Sequence, residues 1–293
     1  MRLTGGVVVV RHGRRTLGDT ATILLHGAAG SWTTWSPMLA AAAADSSPST
    51  PFETDAALPL TDLIIPDLPG WGESTLPAAG SDRSVEALAA TVAQVARALG
   101  YRRWIVVGHS MGGFIALQLA ASEPDATVSV GLVSPTTFSV IDSVRHPFTR
   151  FSTLPAFTAL LMVMRLLAVL GRAGRPLLAA LRNLSLLRLA VSPLFSRPAK
   201  VDATVIAALG AEVRPEGFTV ASAQAGAYDA EGAWSRIECP VRSLTGDSDV
   251  FVAATDVDRL RGVIRRFESM TVTGAGHFAH IERPRASLNA LSA

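Results

Sequence analysis

Ser110 sits between two glycines in Arg103-Trp-Ile-Val-Val-Gly108-His109-Ser110-Met111-Gly112-Gly113-Phe114. A serine hydroxyl attacks carbonyl carbon only when it is exposed, activated by a base and faced by donors for the charge that develops. The flanking sequence meets the first condition. Trp104 to Val107 is an apolar, β-branched run of the kind a strand covered on both faces shows, and Phe114 to Ala121 is a helix apolar nearly all round. A turn this abrupt strains its middle residue, and glycines two before and two after let strand and helix approach. The spacing therefore predicts a nucleophile elbow, with the Ser110 hydroxyl clear of the sheet and the next backbone N–H, that of Met111, aimed at whatever Ser110 attacks.

The second donor should come from another strand end. His26-Gly27-Ala28-Ala29-Gly30-Ser31 follows the strand Thr22 to Leu25, and its small residues let an N–H face outward beside the elbow. Ala28 is the candidate oxyanion donor there, with Met111 as the other. An ordinary strand-to-helix turn would use the same residues.

Further elements must position these groups. Val7 to Val10, Leu63 to Ile65, Val128 to Val133, Val241 to Thr245 and Phe267 to Val272 read as strands. Trp32 to Ala44, Ser84 to Leu99 and Asp256 to Arg266 read as helices, and a short helix closes the chain. Residues 45–59, rich in Ser, Pro and Thr without apolar periodicity, read as an exposed loop. Gly70-Trp71-Gly72 is a tight turn that could put Trp71 against a pocket. Asp67 before it fits a turn-stabilising carboxylate better than a catalytic one.

Residues 136–234 differ in character. They hold few strand-like runs, many leucines and regularly spaced arginines, which predicts a helical insert over one end of the sheet. The expected division is 1–135, core; 136–234, helical cap; 235–293, core. Leu154 to Leu170 approaches a membrane span in length, but Pro155 near its start and Arg165 in its middle argue against spanning. Two readings stay open: a cap packing on an apolar pocket, or a basic amphipathic lid resting on a lipid surface.

Composition excludes other classes. A 293-residue chain with a formal charge of +2 lacks the basic excess of a nucleic-acid binder, and its 25 arginines beside the single Lys200 suit a coding bias. The lone Cys239 rules out an intrachain disulfide and a multi-cysteine metal site. Val7 to Val10 is too short for a signal-peptide core, so a cytoplasmic enzyme is expected. Neither a metal-ligand cluster nor a phosphate-cradling loop stands out, and no cofactor is expected.

Taken together, His26-Gly27, Asp67-x-x-Gly70-x-Gly72-x-Ser74, Gly108-x-Ser110-x-Gly112-Gly113, Gly246-x-x-Asp249, and Gly276-His277 with Glu282-x-Pro284 resemble the α/β-hydrolase superfamily across essentially the whole chain. The resemblance implies a mostly parallel central sheet flanked by helices, with an inserted helical cap. It also implies the triad order nucleophile, acid, base: Ser110, then Asp249 in preference to Asp247, then His277 with His280 as fallback. Ser134 occupies the place where some relatives carry the acid.

Three functions remain open at this level. The first is hydrolysis of an ester, lactone or related carbonyl with an apolar acyl part, lodged among Trp71, Phe138, Leu161, Leu167 and Phe278. The second is carbon–carbon bond cleavage of a vinylogous diketone by the same triad, as in meta-cleavage-product hydrolases with similar Ser-Met-Gly-Gly elbows. The third is a hydrolase-fold protein that only binds its ligand. Oligomeric state is not encoded in any motif.

Overall fold

The computed structural model describes residues 1–3, 6–45, 61–75, 81–146, 148–174 and 184–292. The loop expected at 45–59 lies, beyond Asp45, outside them.

Seven strands form the central sheet: β3 (Val10–His12), β4 (Thr20–Leu25), β5 (Leu63–Pro66), β6 (Arg103–His109), β7 (Thr127–Val133), β8 (Val241–Gly246) and β9 (Phe267–Val272). Their spatial order is β3-β5-β4-β6-β7-β8-β9; β3 runs antiparallel to β5 and every other pair is parallel. A two-stranded ribbon of β1 (Arg2–Leu3) and β2 (Gly6–Val7) precedes it. The run Val7 to Val10 is therefore split between two sheets rather than forming one strand. Its intermediate residues are claimed elsewhere: Val8 N–H bonds to the Met1 carbonyl and Val9 N–H to Ser74 Oγ, both at 2.9 Å.

Side-chain alternation along each strand divides the core between the two faces. Ile23, Leu25, Ile64, Trp104, Val106 and Leu132 pack beneath α2 (Val85–Ala98) and α3 (Met111–Ser122). Leu24, Leu63, Ile65, Val107, Val133 and Leu244 face the other way, against Trp35, Met38 and Ala42 at the start of the chain and Leu288 and Ala290 at its end. Both faces being covered explains why the strands read as continuous apolar runs. The first helix opens with a 3-10 turn, Trp32–Trp35, and becomes α1 at Ser36–Asp45. Pro37 belongs in a first helical turn, where its missing N–H costs nothing. Ser84 caps α2, its side chain accepting the Ala87 N–H at 3.2 Å.

Between β7 and β8 the described residues contain helices and no strand: α4 (Phe138–Arg145), α5 (Arg150–Thr153), α6 (Pro155–Leu170), α7 (Leu184–Val191), α8 (Ala203–Ala211), α9 (Pro215–Ala227) and α10 (Ala230–Trp234). The chain ends with α11 (Ala254–Val263), α12 (Ala279–Glu282) and α13 (Pro284–Ser292).

The inserted helices are pinned to the core. Arg214 donates to the carbonyls of Gly70 at 2.8 Å and Gly72 at 2.6 Å, while Glu212 accepts the Gly72 N–H at 2.8 Å. At the start of α4, Asp256 from α11 accepts the backbone N–H and hydroxyl of Ser139 at 2.9 and 2.6 Å.

Candidate active site

Ser110 follows β6 directly and occupies the N-cap position of α3 with φ 52° and ψ −119°, a left-handed conformation that costs a non-glycine residue about 1–3 kcal/mol. Close packing at both glycines accounts for the flanking pattern. A Cβ on Gly108 would lie 2.3 Å from the Gly112 carbonyl oxygen, and one on Gly112 would lie 2.2 Å from that of Leu25. Gly27 is equally confined, its added Cβ falling 2.9 Å from Ser110 Cβ and from His109 Nδ1. The loop after β4 and the elbow are thus in contact, which brings Ala28 and Met111 to the wall of one cavity with Ser110. Met111 is the first residue of α3, so its N–H has no acceptor within the helix.

The same cavity is reached by His277, on the loop after β9. Its Nδ1 lies 3.1 Å from each carboxylate oxygen of Asp249, on the loop after β8. Both side chains are nearly inaccessible to water, 5% and 1% exposed, which keeps the pair in a medium where electrostatic contacts count for more. Burial by itself would raise the Asp249 pKa, but the His277 charge and hydrogen bond, with the Phe251 N–H donated at 2.8 Å, outweigh it and take it below the usual carboxylate range. Asp247 is placed differently. It is solvent-exposed and accepts the N–H groups of Gly274 at 3.0 Å and Ala275 at 3.4 Å, shaping the loop that carries His277.

Two further histidines pack against the site without entering the cavity's chemistry. His109 Nε2 bonds to the His277 carbonyl at 3.0 Å. His280, fully buried, lies with its ring centroid 4.6 Å from those of Trp35 and His109, and neither nitrogen has a hydrogen-bond partner among the described residues. Desolvation, followed by the His277 charge, pushes His280 down to about 3. It is an uncharged packing residue.

The cavity encloses about 520 Å³, in the range of small-molecule sites, and runs from Ser110 beneath α6, α7 and α9. Arg83 is the only charged lining side chain among the described residues. Of the five pocket residues expected from sequence, Leu167 and Phe278 line it. The other three are placed elsewhere. Trp71 is buried in the core beside Gly217 of α9; Phe138 stands edge-on to Trp234 at 5.1 Å, under the Arg259 guanidinium; Leu161 is buried in the main core. Their places are taken by aliphatic residues such as Leu160, Val163, Met164, Leu187 and Val191.

Glu282 is a site residue that sequence reasoning left without a role, although its motif was in view. Its carboxylate accepts the N–H groups of Gly276 at 2.7 Å, Arg197 at 2.8 Å and Ser196 at 3.1 Å. One side chain therefore ties the His277 loop to the segment following α7.

Ser110, Ala28, Ser134, Asp249 and His277 all follow the C-terminal ends of strands in the parallel part of the sheet, where ligands of open α/β sheets bind. The chain is similar to two curated proteins over part of its length. It is 32% identical over 140 residues, 48% of this chain and 32% of the relative, to the dihydrolipoyllysine-residue acetyltransferase component of the acetoin cleaving system of Cupriavidus necator. It is 26% identical over 133 residues, 44% of this chain and 33% of the relative, to epoxide hydrolase 4 of Mus musculus. It thus spans about a third of the length of each. Among solved structures, a thermophilic esterase from Thermogutta terrifontis superposes with a TM-score of 0.64 at 18% identity, covering 97% of this chain and 90% of that one. The model of the alpha/beta hydrolase family matches residues 22–291, and the chain belongs to that family.

Proposed function

We propose that this protein is a serine hydrolase that cleaves an ester, or a related carbonyl compound, whose acyl part is apolar. The observation that carries the proposal is the strained Ser110 sharing an almost wholly apolar cavity with a His277 whose Nδ1 is held by Asp249.

In this mechanism His277 Nε2 takes the Ser110 hydroxyl proton as Oγ attacks the carbonyl carbon, and the Ala28 and Met111 N–H groups receive the negative charge that forms on oxygen. Collapse expels the alcohol, protonated by His277, and leaves Ser110 acylated. A water deprotonated by His277 then releases the acid. Asp249 fixes the tautomer with hydrogen on Nδ1 and stabilises the imidazolium without accepting the proton. A serine at the elbow supports acyl-enzyme chemistry over the alkyl-enzyme route that an aspartate there would imply. The aliphatic lining supports an alkanoyl ester over the anionic diketone of carbon–carbon hydrolases, since a buried carboxylate needs several polar partners.

The experiment is steady-state hydrolysis of p-nitrophenyl esters of increasing acyl length, with ring-fission diketones alongside. Nitrophenol release whose kcat/KM climbs with chain length supports the proposal. Inertness toward every ester, with turnover of a diketone, defeats it.

A further inference from the structure

Helices that wall the cavity on one side are apolar on the other. In α6, Leu160, Met164 and Leu167 turn inward, while Met162, Leu166, Val169 and Leu170 are exposed and do not line the cavity, Leu166 at 60% and Val169 at 86%. The exposed positions follow one another at helical spacing, so they form a stripe along the helix rather than scattered single residues. In α7, Leu187 lines the cavity and Leu189 on the outside is 71% exposed. Beside α6, the segment leading into α5 and α5 itself expose Phe148 and Phe151. A face this apolar is unusual on a surface in water, where helices carry polar groups outward.

Charge is distributed to match. Residues 143–201 contain nine of the chain's 26 Lys and Arg residues and none of its 24 Asp and Glu residues. A protein of formal charge +2 therefore places +9 on the segment that bears the apolar stripe and −7 on everything else. Arg165 projects half-buried from α6 itself.

We propose that the outer face of α5, α6 and α7 docks on an anionic lipid bilayer, with the exposed aliphatic and aromatic side chains entering the headgroup boundary and arginines of this segment, Arg165 among them, pairing with lipid phosphates. Apolar anchors within a basic field are the two components that hold a peripheral protein to such a surface. A second copy of this chain suits the face poorly, because a two-fold contact would set the same +9 segment against itself. At 16 residues α6 is short of a bilayer crossing, and no helix among the described residues is long and apolar enough to make one. Docking would set the cavity-walling helices against the bilayer. If the proposed hydrolase activity holds, a lipid-dissolved ester then meets the site without crossing water.

Flotation of the full-length protein with vesicles of phosphatidylcholine, alone or mixed with phosphatidylglycerol, tests this. The protein should float with the mixed vesicles, far less with neutral ones, and less as NaCl screens the arginines. Leu166→Glu and Val169→Glu, both on the water-facing side, should each lower partitioning by about tenfold or more, the loss expected when one such anchor stays in water. Their melting temperatures should be unchanged. Ser110→Ala should float like the wild type, which separates docking from the proposed chemistry. Failure to float with anionic vesicles would overturn the proposal. So would flotation indifferent to both Glu variants, or a concentration-dependent dimer that those variants dissociate in a protein that does not float.

Discussion

The backbone carbonyl of Leu194, in the helical insert, accepts the N–H of His277, in the core, at 2.8 Å. His277, the proposed base, is thus held from two sides, by the helical segment through its backbone and by Asp249 through its ring. Close contact continues at the neighbouring residue, where a Cβ on Gly276 would fall 2.6 Å from the same carbonyl oxygen.

Glu282 locks this arrangement by accepting three backbone N–H groups across the seam. Glu282→Ala should cost about 1–3 kcal/mol of stability, the penalty for leaving such donors unpaired. It should also lower kcat more than it raises KM, because the His277 loop loses its register while the acyl cavity is untouched. Thermal melts and steady-state kinetics check both, and Glu282→Gln, which can still accept, should recover part of each loss.

Asp249→Asn should reduce kcat about 10³-fold or more, since an amide can neither select the right tautomer nor balance the imidazolium. Asp247→Asn, two residues away but bonded to Gly274 and Ala275 instead, should cost far less activity. Kinetics of the two variants side by side distinguish the assignments, and equal losses would mean that the acid is misplaced.

The buried histidines make stability sensitive to mild acid. Desolvation lowers His26, His109 and His280 from the usual 6.5, so between that value and their folded values the unfolded chain binds more protons than the folded one. Stability is then full above about pH 6.5 and falls with decreasing pH, each histidine adding a slope of up to about 1.4 kcal/mol per pH unit. His280→Leu removes a ring that makes no hydrogen bond among the described residues. Its urea midpoint should fall less steeply than the wild type's from pH 6.5 to 5, and a slope unchanged by the substitution would contradict the account.

Leu161 and Leu167 offer a test of the cavity walls. Leu167→Asn should flatten the rise of kcat/KM with acyl length while sparing acetate esters, since each methylene buried is worth about 0.8 kcal/mol. Leu161→Asn, in the core rather than the cavity, should mainly destabilise the fold, by about 2–5 kcal/mol. Chain-length profiles and melts of both variants should separate in this way.

The contrast between those leucines shows where the sequence stops being informative. The elbow, Gly246-x-x-Asp249 and Gly276-His277 are legible because each turn needs small residues at fixed offsets, and the added-Cβ distances of 2.2 to 2.3 Å at Gly108, Gly112 and Gly246 give the reason. The parallel strands are legible because burial on both faces leaves an unbroken apolar run. In α6 the polarity pattern vanishes: a helix apolar inside and outside does not say which residues face the ligand, so Leu161 could not be told from Leu167. Trp71 and Phe138 look like pocket residues by type, yet a large ring fills a core just as well. The split of Val7 to Val10 depends on Ser74 and Met1, partners that no local pattern reveals.

The central claim is that Ser110 is the activated nucleophile. Its most direct test is labelling with a fluorophosphonate, followed by mass spectrometry of the digested protein. The account predicts a single adduct, on the peptide carrying Gly108-His109-Ser110-Met111-Gly112, formed by the wild type and abolished in Ser110→Ala while that variant melts like the parent. Wild-type protein that stays unlabelled, or a label that persists in Ser110→Ala, would contradict it.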